Sequence, residues 1–152
     1  MRISAKADYA VRAAIELARD PDSMTKGDGI ARAQEIPVKF LENILSELRV
    51  AGLVTSRRGA DGGYKLARPP EEITVADVIR AVEGPLAHVR GERPEDVAYA
   101  GNAESLQRVW IAVRANLRAI VEHVTLADLA SGQLPGDIDA IARDPASWER
   151  RV

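Results

Sequence analysis

Residues 36–68 read IPVKFLENILSELRVAGLVTSRRGADGGYKLAR, and the order of signals in them decides the fold. Pro37 suits the first turn of a helix, while Ile36 before it is pushed out of helical geometry. Leu41, Ile44, Leu45 and Leu48 then recur at helical spacing as one apolar stripe, and Gly52 supplies the stop after about Ala51. The opposite face carries Lys39, Glu42, Asn43, Ser46 and Arg49. Residues 53–56 and 63–66 read as two strands, joined by a turn of Arg57, Arg58, Gly59, Ala60, Asp61 and Gly62. The stretch is therefore a polar-faced helix followed by a basic, glycine-hinged ribbon.

Upstream, Ala10, Ala13, Ala14, Leu17 and Ala18 predict a helix over 6–19, stopped by Asp20-Pro21. A second helix is expected over 28–34, with Thr25 and Asp28 spaced as a capping box. Two short helices joined by the tight link Glu35-Ile36-Pro37 have a mechanical use: the second enters a major groove while the first braces it across the backbone. On the exposed face Lys39 can donate to guanine, Asn43 can pair with adenine, and Glu42 can accept from a cytosine amine. Arg57 and Arg58 lie beside Gly59, Gly62 and Gly63, so the ribbon can approach a duplex and place an arginine in the narrow minor groove. Tyr9, Ser23, Thr25 and Lys26 are candidates for phosphate contacts, which set register without reading sequence. Each signal has a plainer alternative: a solvated helix face, an ordinary hairpin, or an arginine pair for a phosphate-bearing protein. Their order favours DNA.

Downstream, a fourth helix is expected over 75–83, with Thr74 and Asp77 as a second capping box and Gly84-Pro85 at its end. Residues 85–103 show no period. Leu106, Trp110, Val113, Leu117, Ile120 and Val124 are then spaced 4, 3, 4, 3 and 4 apart, a heptad seam. A helix of about 21 residues spans roughly 31 Å, close to the roughly 34 Å that separates half-sites one DNA turn apart. The seam reads as a dimer interface; the alternative is packing on the first and fourth helices of the same chain. Trp110 belongs either to that interface or to the wall of an effector pocket. Thr125 and Asp128 form a third capping pattern before a short helix over 126–130, and 132–152 read as a loosely held tail with a helical turn or two around Ile138.

The chain thus divides into a winged helix-turn-helix unit (1–84), a loop and possible sensor region (85–103), a dimerisation helix with its short successor (104–131) and a tail (132–152). The fold class is mainly α with a small β-hairpin wing. The net charge of −2 is uneven: through Arg68 there are 12 Lys/Arg against 9 Asp/Glu, and beyond it 9 against 14. A basic reading head on an acidic body fits a DNA binder, because attraction to phosphate follows the local field. With no cysteine and two histidines, His88 and His123, thiolate chemistry, disulfides and zinc sites built from those ligands are excluded. No nucleophile–base pair or phosphate loop points to an enzyme. No leader or membrane-spanning stretch is visible, so a cytoplasmic protein is expected. A winged helix serving as a protein adapter is the competing reading.

The segments ISAKADYAVRAAIELA (3–18), residues 36–68 with their RG-x-x-GGY turn, ITVADVIRAVEG (73–84) and TLADLA (125–130) resemble the bacterial winged-helix family typified by IscR, NsrR and CymR, the Rrf2 family. The resemblance implies a homodimer, its long helix crossing its twin, that regulates genes from a partly palindromic operator. It places Glu42 and Asn43 where the recognition helix reads bases, with Lys39 beside them, and Arg58, Gly62 and Tyr64 in the wing. Many members hold an iron–sulfur cluster through three cysteines in the loop matching roughly 86–104. This chain has none, so the resemblance implies no cofactor and a DNA affinity set by a small molecule or a partner enzyme. His88 is expected at the surface, and His123 as a cation near a helix C-terminus.

Overall fold

Alanine is what lets the first helix sit at the centre of the molecule. In the computed structural model, which describes all 152 residues, α1 (Ala5–Arg19) buries Ala7, Ala10, Ala13, Ala14, Leu17 and Ala18. Small side chains on so many sides allow close helix approach, and α1 packs against α2 (Gly27–Gln34), α3 (Val38–Val50), α4 (Val75–Glu83) and α6 (Leu126–Ser131). Ser4 caps it, accepting from the Ala7 amide at 3.0 Å, and its hydroxyl also meets Glu83 at the end of α4.

The link between α2 and α3 is tight because Glu35 takes a left-handed conformation (φ 52°), and the Ile36 amide donates back to the Ala31 carbonyl at 3.0 Å. A left-handed non-glycine residue costs about 1–2 kcal/mol. Ile36, only 4% exposed, offsets it, since full burial of such a side chain is worth about 1.5–3 kcal/mol. Pro37 stands at the N-cap of α3, which buries the expected stripe Leu41, Ile44, Leu45 and Leu48. The chain then leaves the helix through Gly52 (φ 78°), with the Leu53 amide donating to the Leu48 carbonyl.

Strands β1 (Val54–Arg57) and β2 (Gly63–Leu66) pair antiparallel, Val54 opposite Leu66 and Arg57 opposite Gly63. Thr25 adds a further antiparallel bridge: its amide and carbonyl exchange hydrogen bonds with those of Tyr64, both at 2.8 Å. This corrects the first expected capping box. The backbone of Thr25 is held by the wing, Lys26 becomes the N-cap of α2, and no side chain caps that helix. The other two boxes form as read. Thr74 and Asp77 cap α4, Thr125 and Asp128 cap α6, and each pair satisfies both reciprocal bonds.

The long helix α5 (Leu106–Val121) has 16 residues, about 24 Å at 1.5 Å per residue, shorter than expected. It stops because the next residues are captured elsewhere. The Val124 carbonyl accepts from the Val75 amide, and the Leu126 amide donates to the Ile73 carbonyl, each at 2.9 Å. Val124, expected as the last residue of the seam, is 5% exposed within the chain's own core, and Leu126 is fully buried beside it. The segment after α5 therefore returns to the core built by residues 1–84. Loop 85–103 carries two short 3-10 turns, Pro94–Asp96 and Gly101–Ala103, anchored by buried Pro94 and Val97.

Arginines join α5 to its surroundings. Glu122, just past α5, accepts from Arg80 of α4 and from Arg118 at 2.9 Å, and Glu95 of the loop pairs with Arg114. The Arg80 guanidinium, helped by Arg118, holds the Glu122 carboxyl below the usual range against the opposing pull of partial burial. In the tail, α7 (Gly136–Arg143) forms around buried Ile138, while Trp148 is 81% exposed, its indole donating to the Ala142 carbonyl at 2.6 Å.

Candidate nucleic-acid interface

Burial of one face of α3 determines what the other face offers. With Leu41, Ile44, Leu45 and Leu48 in the core, Lys39, Glu42, Asn43 and Ser46 are all exposed. None of these four side chains has a hydrogen-bond or ion-pair partner within the chain. Beside them, at the end of α3, Arg49 reaches the Ser56 hydroxyl of β1 at 3.4 Å, a long contact that links α3 to the wing. The base of α3 is fixed from α1 by a Lys6–Glu47 pair at 2.8 Å. The α2–α3 link is held by Arg12, whose guanidinium donates to the Gln34 carbonyl at 2.6 Å.

The wing separates its arginines by role. Arg57 is exposed, and its guanidinium donates to the Asp61 carbonyl at 3.3 Å across the turn. Arg58 is exposed and has no partner in the chain, which makes it the freer of the two cations. Gly62 belongs to the turn rather than to any outer surface. It is buried, its amide donates to Gly59 at 3.0 Å, and a Cβ there would collide with the Arg57 carbonyl. Tyr64 is half-buried against the core and bridges to Thr25, so it builds the wing instead of facing outward.

The expected phosphate-contacting residues divide in the same way. Lys26 is exposed, but its ammonium donates to the Gly59 carbonyl at 2.7 Å and ties the wing turn to the start of α2. Thr25 is half-buried with its backbone committed, whereas Ser23 is exposed. The ring of Tyr9 lies between Arg12, 4.9 Å from its centroid, and Phe40, edge-on at 6.2 Å; its hydroxyl has no partner in the chain. Sequence reading missed this Arg12–Tyr9–Phe40 stack because Phe40 falls off the apolar stripe of α3 and is 57% exposed.

On α5, none of the seam residues is buried in the single chain. Leu106, Trp110, Val113 and Leu117 are half-exposed, and Val109 and Ile120 are 50% and 38% exposed. The Trp110 indole donates to the Tyr99 hydroxyl at 3.1 Å. Trp110, Val113 and Leu117 form one wall of an apolar groove of about 640 Å³, with Ile3 and the 87–90 loop opposite. His88 and His123 are both exposed.

Comparison with known proteins agrees with this geometry. Residues 3–132 match the model of the Rrf2 family, described as an iron-dependent transcriptional regulator. A Mycobacterium tuberculosis protein named as a candidate HTH-type transcriptional regulator is 49% identical over 150 residues, covering 98% of this chain and 93% of that one. CymR of Bacillus subtilis is 38% identical over 132 residues, 86% of this chain and 91% of its own. The solved structure of that CymR, the global cysteine regulator of its organism, superposes with a TM-score of 0.74 over 88% of this chain and 98% of its own, at 36% identity. IscR of T. potens gives 0.70 over 100% and 94%, at 29% identity. The iron in the family's description can be tested on the residues present. The chain has no cysteine, and nowhere do three His, Asp or Glu side chains gather as a metal would need. Its donor set does not fit an iron centre.

Proposed function

Because the chain belongs to the Rrf2 family of transcriptional regulators, with a winged-helix fold and no enzymatic role, we propose that it is a cytoplasmic homodimeric repressor of a partly palindromic operator. The observation that carries this reading is the unpartnered Lys39, Glu42 and Asn43 face of α3 with Arg58 free on the wing beside it. Groups that satisfy nothing inside the protein are available to base edges and phosphates outside it. Arg57, Ser23 and the Tyr9 hydroxyl add phosphate contacts, while Gly62, Tyr64, Thr25 and Lys26 hold the wing at the angle the groove requires. Two copies pair along α5, where an apolar stripe only partly buried within its own chain would otherwise remain open to water. A small molecule or a protein partner, in place of a cluster, sets the affinity.

Footprinting on the promoter of its own gene should show two protected half-sites one turn apart, and sedimentation should give a dimer. Ile120→Glu places like charges across the seam at a position already open to solvent in one chain, so it should yield folded monomers. Single chains that protect no duplex in dilute buffer would overturn the proposal.

A further inference from the structure

Beyond Arg68 the chain is acidic, and all nine of its basic residues there are arginines. Four of the nine converge. Arg80 from α4, Arg93 from the loop, and Arg114 and Arg118 from α5 line one cleft of about 260 Å³ together with His88 and Glu95. Leu86 is its one aliphatic lining residue apart from Pro85. Glu122 engages Arg80 and Arg118, and Glu95 engages Arg114. Arg93 is exposed and has no ion-pair partner of its own.

We propose that this cleft binds a small oxyanion carrying two negative charges, of the phosphate, sulfate or short polycarboxylate kind, and that this anion is the regulator's effector. Four guanidinium groups against two carboxylates leave two positive charges, which a dianion neutralises. Guanidinium forks match phosphate and carboxylate oxygens in geometry as well as charge. The size and lining limit the ligand. The cleft is smaller than the roughly 300 Å³ at which pockets for drug-sized molecules begin, and no Phe, Tyr or Trp ring lines it to stack on a nucleobase. A compact, fully polar molecule fits; a nucleotide does not.

The position of the cleft argues for a switch. A bound dianion would cross-link α4 of the reading head, the 85–103 loop and the pairing helix α5. His88 borders this cleft on one side and the apolar groove of Trp110, Val113 and Leu117 on the other. Between them the backbone is strained, with Ala87 (φ 54°) and Arg90 (φ 53°) both left-handed without being glycine, the kind of local strain found at switch segments. Drawing His88 toward an anion therefore re-sets the groove wall that meets α5. The effector role rests on the reading of the chain as a DNA-binding regulator; the binding site does not.

Calorimetric titration of the 152-residue chain, free of DNA, with inorganic phosphate, sulfate and citrate tests the site. At least one should saturate with one anion per chain. Arg93→Gln, which breaks no internal pair, should weaken that anion about tenfold or more, with unchanged melting. Arg68→Gln, an exposed arginine outside the cleft, should leave the affinity alone. Failure of all three anions to saturate at millimolar concentration, or equal binding by Arg93→Gln, overturns the site. Operator affinity should then shift on saturation with the anion in wild type and not in Arg93→Gln; an identical shift in both is ionic strength alone and overturns the effector role. Anion uptake by a protein that ignores every duplex would instead sink the DNA-binding proposal and leave the site standing.

Discussion

Gly63 joins the wing to the helix pair, and no other residue fits there. Its φ is +140°, and a Cβ would lie 2.5 Å from the Thr25 carbonyl oxygen and 2.8 Å from the Thr25 carbonyl carbon, both backbone atoms that the Tyr64 bridge prevents from moving. Gly63→Ala is expected to lose about 1–3 kcal/mol, read as a lowered melting temperature, and to weaken DNA binding because the wing tilts. Gly59→Ala also meets a positive φ (+100°), but into open space, and should cost less; an equal loss in both would show that the Thr25 contact is not what constrains Gly63. Asn43 is the opposite kind of residue. Its side chain is exposed with no internal hydrogen bond, so Asn43→Ala should leave the melt unchanged. Discrimination at one base pair of each half-site should fall by about 1–3 kcal/mol, measured by competition between the operator and its single-base variants. A lowered melt with unaltered base preference would assign Asn43 to structure.

At the level of elements, local patterns were legible where the backbone made local bonds and failed where distant strands intervened. All three Thr-x-x-Asp sequences carry the same capping signal. Two formed it, and the third lost it to the pairing of Thr25 with Tyr64, a partner far along the chain that no window around α2 contains. The heptad reading placed Leu106 to Ile120 on one helix and failed at Val124, where Val75 and Ile73 take the chain into a different ladder. The arginine cleft was not legible at all, because Arg80, Arg93, Arg114 and Arg118 share neither a period nor a segment. The junction of α4 and α5 at that cleft should depend on pH. The carboxyl of Glu122 is held below its ordinary 4.5 first by the Arg80 bond and then by Arg118. A carboxyl depressed in the folded state stabilises fully above its unfolded value and loses that contribution as pH falls through the folded one. Wild type should therefore melt above Glu122→Gln at neutral pH, and the two curves should converge as pH drops below 4.5. A gap that persists in acid would mean Glu122 acts by packing rather than by charge.

For the whole molecule, a winged helix on an acidic body can serve DNA or a protein partner, and counterion release separates the two. Each phosphate neutralised contributes about −0.9 to the slope of log affinity against log salt. The excess of Lys/Arg over Asp/Glu lies in the first 68 residues, 12 against 9, where α3 and the wing are. Arg58 is the wing cation with no internal partner, so under the proposed dimeric binding two copies of it would reach two phosphates. Arg58→Ala should reduce the magnitude of the slope by about 2, whereas Asn43→Ala, which removes base readout and no charge, should leave the slope where it was and lower affinity only for the operator. A reduction of about 1 would mean that one wing binds at a time, against a pairing along α5 that presents both heads together. If Arg58→Ala changes nothing at any salt, the wing does not touch the duplex, and the docking geometry built on α3 and its glycine-hinged neighbour has to be abandoned.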